Sequence, residues 1–261
     1  METAGQVQVA PLTVARDMKA GDLRAALAAG WADFMAFPAY GLFFAAIFVL
    51  AGWYIWYILT TQSAIVWLIP TVAGFPLLAP FVAVGLYEVS RRREAGLPVT
   101  WGAVLGAVRG RGDEQIIMMG GLVFMGFTFW ISVAHGVFAI FMAESGVGGE
   151  SLAALATPSG LAMLAVGSVI GALIALTFYA VTVISLPLLV DRDLDFLTAI
   201  IVSLATVRSN AAIMVGWAVL IGAVLLSGML PLFLGLLAVL PWLGHATWHL
   251  YRRAVPQQGA A

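Results

Sequence analysis

No cysteine occurs among the 261 residues, which excludes disulfides, thiol catalysis and thiolate metal sites. Charge is almost as scarce: 10% of residues are Asp, Glu, Lys or Arg, against 62% hydrophobic, and the mean hydropathy is +1.03. A water-soluble chain does not carry that composition, so a membrane must cover the apolar surface. A net charge of −1 leaves nothing to attract nucleic acid. A Walker loop, a nucleophile–base constellation and a metalloprotease motif are also missing, and Gly110-Arg111-Gly112-Asp113 lacks the lysine and strand context of a phosphate loop. An enzyme is not expected. Nor is a cleavable signal, because Arg16, Asp17, Lys19, Asp22 and Arg24 interrupt the only region where its apolar core would sit. Residues 1–20 read as a polar cytoplasmic tail and 254–261 as a second one.

What is present is a set of six apolar windows free of Asp, Glu, Lys and Arg, each long enough to cross about 30 Å of hydrocarbon at about 1.5 Å per residue. They run near Phe37–Leu59, Ile65–Tyr87, Ile116–Phe141, Leu161–Leu186, Ala211–Ser227 and Leu230–Leu250. The expected fold is all-α: a polytopic bundle of six transmembrane helices in one domain over 21–253, with short cytoplasmic interfacial helices. Only Gly228 and Met229 separate the last two windows, which predicts a tight hairpin. Every Lys and Arg falls in the segments before the first span, between the second and third, between the fourth and fifth, or after the sixth. An even span count puts these segments on one face, which the positive-inside rule makes cytoplasmic. The expected location is the inner membrane of a bacterium, multi-pass, with both termini inside and the lipid bilayer as partner.

A pattern recurs along the chain, in which a capping residue opens a short amphipathic stretch that leads into a pair of spans. The caps are Asp22, Thr100 and Asp195. One helical face follows each: Leu23, Leu27, Trp31 and Phe34; Trp101, Val104, Leu105 and Val108; Leu197, Ile200, Ile201, Leu204 and Val207. Such helices lie in the interface with apolar faces toward lipid. Repeats of this kind would divide the domain near 21–95, 97–193 and 194–253, all three entering the membrane in the same sense.

Three stretches carry a family resemblance: Gly74-Phe75-Pro76-Leu77-Leu78-Ala79-Pro80 running to Gly85-Leu86-Tyr87-Glu88-Val89-Ser90-Arg91-Arg92, then Ser185 to Asp195, then Gly244-His245-Ala246-Thr247-Trp248-His249-Leu250-Tyr251-Arg252. They resemble bacterial integral membrane proteins grouped as domain of unknown function 2189, from about Asp22 to Arg253. The resemblance implies the membrane architecture and transfers no catalytic residue.

Candidate sites come from the few polar residues. His245 and His249 lie four apart on one face of the sixth helix, a spacing suited to a haem or divalent metal near the cytoplasmic surface. The competing reading is a polar helix end anchored by Trp248, Tyr251, Arg252 and Arg253. His135 is an intramembrane ionisable residue near the outer leaflet, too far from His249 to join it. Pro70, Pro76 and Pro80 should kink or break the second span, opening a substrate path or only a bend. Asp191, Asp193 and Asp195 form an acidic interfacial loop. Glu88 is placed to pair with Arg91 or Arg92. Gly167 with Gly171, and Gly41 with Ala45, permit close helix contacts, within the chain or in a homo-oligomer. Trp53, Tyr54, Trp56, Tyr57 and Trp67 read as an outer interfacial belt. Carboxylates are missing from the spans, which disfavours an ion-coupled pump. The leading expectation is a non-catalytic accessory or assembly component that contacts other membrane-protein subunits. A small permease and a haem or metal carrier are the alternatives.

Overall fold

Uniform apolar sequence makes long helices wherever nothing interrupts the backbone ladder, and the computed structural model follows those interruptions. It describes residues 12–62, 67–74, 79–107, 114–142 and 152–256, and no strand occurs among them. The helices are α1 (Ala20–Ala36), α2 (Pro38–Thr61), α3 (Leu68–Gly74), α4 (Ala79–Glu94), α5 (Trp101–Gly106), α6 (Gln115–Met142), α7 (Pro158–Thr182), α8 (Ser185–Asp191), α9 (Phe196–Ser209), α10 (Ala211–Met229) and α11 (Leu236–Ala254). A 3-10 turn, Leu152–Ala156, precedes α7.

Caps set the starts. Thr100 Oγ1 accepts from the Ala103 N–H at the head of α5, and Asp195 Oδ1 accepts from the Thr198 N–H at 2.8 Å at the head of α9, both as the sequence predicts. The third cap is displaced. Asp22 lies inside the first turn of α1, and its carboxylate reaches back at 2.7 Å to the N–H of Lys19, the true N-cap.

Four helices, α2, α6, α7 and α10, are long and apolar enough to cross a membrane. Their bounds follow four of the expected windows closely. In the second window the described residues form α3 and α4, with Pro70 inside α3 and Pro80 in the first turn of α4; residues 75–78 between them, Pro76 included, lie outside the described residues. The last hairpin is looser than expected. Residues 230–235 turn between α10 and α11, with Leu232 and Phe233 at positive φ, because Pro231 follows the end of α10 and cannot donate to its ladder. The Trp53 indole secures this turn by donating to the Leu232 carbonyl at 2.8 Å.

The innermost helices, α4, α8 and α11, touch one another at one end of the bundle. The short helices pack on longer neighbours or their ends: α5 on α4, α9 on α7 and α8, and α1 on α11. Among the long helices, α6 packs on α7 and α3, α10 on α11 and α7, and α2 on α11. Gly30 lets the backbones of α1 and α11 meet, since a Cβ there would run into the Ala246 backbone. Gly41 fits against Pro241 and Phe34, and Gly171 against the Trp130 ring, so these small residues serve packing within the chain.

Burial is inverted relative to a soluble protein. Phe124, Met125, Phe129 and Ile140 on α6, and Leu161, Val169 and Leu173 on α7, face outward. On α9 the outward residues are Leu197, Ile201 and Leu204, while Ala199, Val202, Ser203 and Thr206 face the protein. Helix α1 buries mostly small residues. Ala26, Gly30, Asp33 and Phe34 are buried, and it lies along α11.

The expected polar tails are partly docked. Met18 is buried, its N–H donates to Asn210 Oδ1, and the Ala15 N–H donates to the Ala254 carbonyl at 2.9 Å. Val255 at the other terminus is fully buried. Residues 1–11 and 257–261 lie outside the described residues, as do 108–113 and the loop 143–151 that holds Glu144 and Glu150.

Candidate functional site at the charged end

Among the described residues, the paired charges gather where α4, α8 and α11 finish. Each of these helices is apolar for most of its length and then turns polar, so its last turns bring ionisable groups together as soon as the apolar parts pack. Arg253 pairs with Asp17 and Asp22; Arg252 pairs with Glu94 and Asp191; Glu88 holds both Arg91 and Arg92 at 2.7 Å. The pairing expected of Glu88 is thus made twice. The N-terminal segment, α1, the end of α4, α8 and the end of α11 therefore occupy one end of the molecule.

At the centre of this end is a buried polar cluster drawn from three helices: Asp33 of α1, Ser90 and Arg93 of α4, His245 and His249 of α11. Asp33, Ser90 and His245 are 4%, 1% and 0% exposed. Asp33 Oδ1 accepts from Arg93 Nη1 at 2.6 Å. Its Oδ2 accepts from the Ser90 hydroxyl and from His249 Nε2, the latter at 2.8 Å. With the serine proton given to Asp33, the 2.7 Å contact between Ser90 Oγ and His245 Nδ1 requires the histidine to donate from Nδ1. His245 Nε2 is then a bare lone pair, and among the described residues it has no hydrogen-bond partner.

Burial alone would push the Asp33 carboxyl up. The hydrogen bonds from His249 and Ser90 outweigh it and hold the group below the ordinary carboxylate value of 3.8. A carboxylate in that state is a poor base. Ser90 gives its proton to this weak base and is closed to solvent, so the arrangement does not make a nucleophile. What it does is join α1, α4 and α11 through one carboxylate.

The sequence-derived candidates separate on this map. His245 and His249 belong to the cluster, but their rings approach different partners, Ser90 and Asp33. His135 stands apart, donating from Nδ1 to the Ile131 carbonyl at 2.8 Å and stacking on Trp67 with ring centroids 3.9 Å apart. Pro70 offers its carbonyl to the Trp130 indole at 2.7 Å, tying α3 to α6. The acidic loop disperses: Asp191 accepts from Tyr251 and Arg252, Asp195 caps α9, and Asp193 is exposed. Among the described residues, no three His, Asp or Glu side chains converge as metal ligands. Asp33 and Ser90 escape notice in the sequence, where one lies among alanines and the other beside three arginines. The one available signal is the stripe Ala26, Gly30 and Asp33 on α1, small residues leading to an acid at helical spacing.

Residues 68–191 match the model of a protein family described as predicted integral membrane protein (DUF2189). The match runs from the start of α3 to the end of α8 and includes Ser90 and Arg93. No curated protein and no solved structure matches the chain.

Proposed function

We propose that the protein is a non-catalytic component of a bacterial inner-membrane assembly, crossing the bilayer six times with both termini in the cytoplasm. In this reading α3 with α4 supplies one further crossing and α11 another, and the domain is three two-span units related about the membrane normal. Support for the units comes from the packing of the short helices, α1 on α11, α5 on α4, and α9 on α7 and α8. The charged end faces the cytoplasm because the basic residues of α4 and α11 end there.

The observation that carries the non-catalytic reading is the saturation of Asp33. Arg93, Ser90 and His249 occupy its oxygens, and the group that would act as nucleophile is sealed from any substrate. The assembly role draws on α7, whose most apolar stretch of 18 residues is only 6% buried. A span so little covered by its own fold is suited to a neighbouring subunit.

Purification in a mild detergent followed by mass spectrometry tests this reading. A stoichiometric membrane partner is expected, lost when Leu161, Val169 and Leu173 are changed together to Ser. A protein that purifies alone contradicts it. The haem or metal reading draws on one feature, the unpartnered Nε2 of buried His245. It requires a Soret band or bound metal that vanishes in His245→Ala, and colourless, metal-free protein would dismiss it.

A further inference from the structure

Below the charged end, α4, α7 and α11 diverge and, with α10, enclose a cavity of about 400 Å³. That volume is typical of a small-ligand pocket. Ala79, Ala83, Ala172, Ala175, Gly222 and Gly244 keep it open by leaving side-chain volume out of its walls. Past Ala172, Ala175 and Gly222, which line both spaces, a second cavity of about 460 Å³ continues between α6 and α7 toward Trp67 and Pro70.

The lining is graded in polarity. Tyr87, Tyr179, Thr182 and Thr247 face the first cavity near the charged end, and apolar groups line it from there on. Three of those hydroxyls have partners: Tyr179 donates to the Met214 carbonyl at 2.7 Å, Thr182 to Phe178 and Thr247 to Leu243. Tyr87 differs. It is 2% exposed, yet among the described residues its hydroxyl makes no hydrogen bond. Buried phenols usually find a partner, so this one is left for a ligand. Leu176, Val215 and Val219 are exposed lining residues on α7 and α10, so the mouth opens sideways into the apolar belt rather than into water.

We propose that this cavity holds an acyl chain of a membrane glycerophospholipid, which enters between α7 and α10 and accepts a hydrogen bond from Tyr87 at its ester carbonyl. Depth selects the ester. Tyr87 adjoins Glu88 and lies one turn below Arg91 and Arg92, at the boundary between apolar and charged side chains, which is where glycerol esters sit beneath their phosphates. A free carboxylate would need a cation there, and Glu88 already holds both arginines. The site is independent of any partner subunit.

Native mass spectrometry of the intact protein after delipidating detergent exchange tests the assignment, with added phosphatidylethanolamine as the probe. The wild type should retain or regain about one phospholipid per chain. In Gly222→Leu the new side chain grows into open space, since nothing lies within 4 Å of a Cβ at that position. It should fold, melt normally and lose the lipid. Tyr87→Phe removes only the hydroxyl and should weaken retention about five- to tenfold, the loss of one hydrogen bond. Equal lipid binding by wild type and Gly222→Leu would overturn the cavity assignment. Unchanged retention by Tyr87→Phe would overturn the ester contact, and co-purification of a quinone in place of a phospholipid would overturn the choice of ligand.

Discussion

Asp33→Ala removes the one carboxylate that joins three helices. Three charged or polar contacts go with it, to Arg93, His249 and Ser90. A hydrogen bond involving a charged group contributes about 1.5–3 kcal/mol, and breaking a fully buried ion pair costs about 3–5 kcal/mol. Those figures must be reduced here, because the Arg93 and His249 side chains are 38% and 24% exposed and regain water when released. Ser90 and His245 have no such escape. The net expectation is a loss of about 2–3 kcal/mol, or roughly 5–10 °C in melting temperature for a chain of this size. Asp33→Asn keeps an acceptor and should lose about half as much. The effect has a defined pH dependence. Because the folded Asp33 carboxyl titrates below its unfolded value, the stability it adds is complete above the ordinary value of 3.8 and drains away as pH falls through the lower folded value. Thermal melts in detergent should therefore show the gap between wild type and Asp33→Ala closing below about pH 4. Asp17 and Asp195 are also held low, by Arg253 and Thr198, but they are common to both proteins and cancel. A variant that melts within about 1 °C of wild type at neutral pH, or a gap that persists in acid, would refute the reasoning.

Gly30→Leu should be more damaging than Asp33→Ala, at about 3 kcal/mol or more, since Ala246 backbone atoms stand in the way and cannot yield. Gly21→Ala, where a Cβ meets nothing within 4 Å, is the matched control and should melt like wild type. Asp195→Ala should cost about 1 kcal/mol through the lost cap of α9, read as a lower melting temperature with the fold retained by circular dichroism. Tyr251→Phe breaks the 2.7 Å hydrogen bond to Asp191 and should cost about 1.5–2 kcal/mol in the same melt.

Four of the six expected spans were legible because membrane helices are specified by uniform apolarity, a signal that needs no tertiary information. Helices α2, α6, α7 and α10 begin and end close to the charges and turn residues that bound them. Where tertiary contacts decide, the sequence was less informative. The face of α1 assigned from Leu23, Leu27, Trp31 and Phe34 leaves out Asp33, because an amphipathic pattern seeks large residues and the contact with α11 uses small ones. The pairing of Ser90 with His245 spans 155 positions and has no local trace. The partners of His245 and His249, Ser90 and Asp33, come from other helices, and spacing within one helix cannot reveal them. The docked N-terminal segment was missed for a related reason. Its anchors, Asn210 and the end of α11, sit almost 200 residues or more away in the chain.

The absence of cysteine makes the layout directly measurable, because any single cysteine is the only thiol in the chain. Lys19→Cys and Ser209→Cys mark the charged end, whereas Thr61→Cys and Leu230→Cys mark the far turns, and all four positions are exposed. A membrane-impermeant maleimide applied to intact cells should label Thr61→Cys and Leu230→Cys at once, and the other two only after the inner membrane is opened. Labelling of Lys19→Cys or Ser209→Cys in intact cells would contradict a cytoplasmic charged end and the six-crossing arrangement built on it.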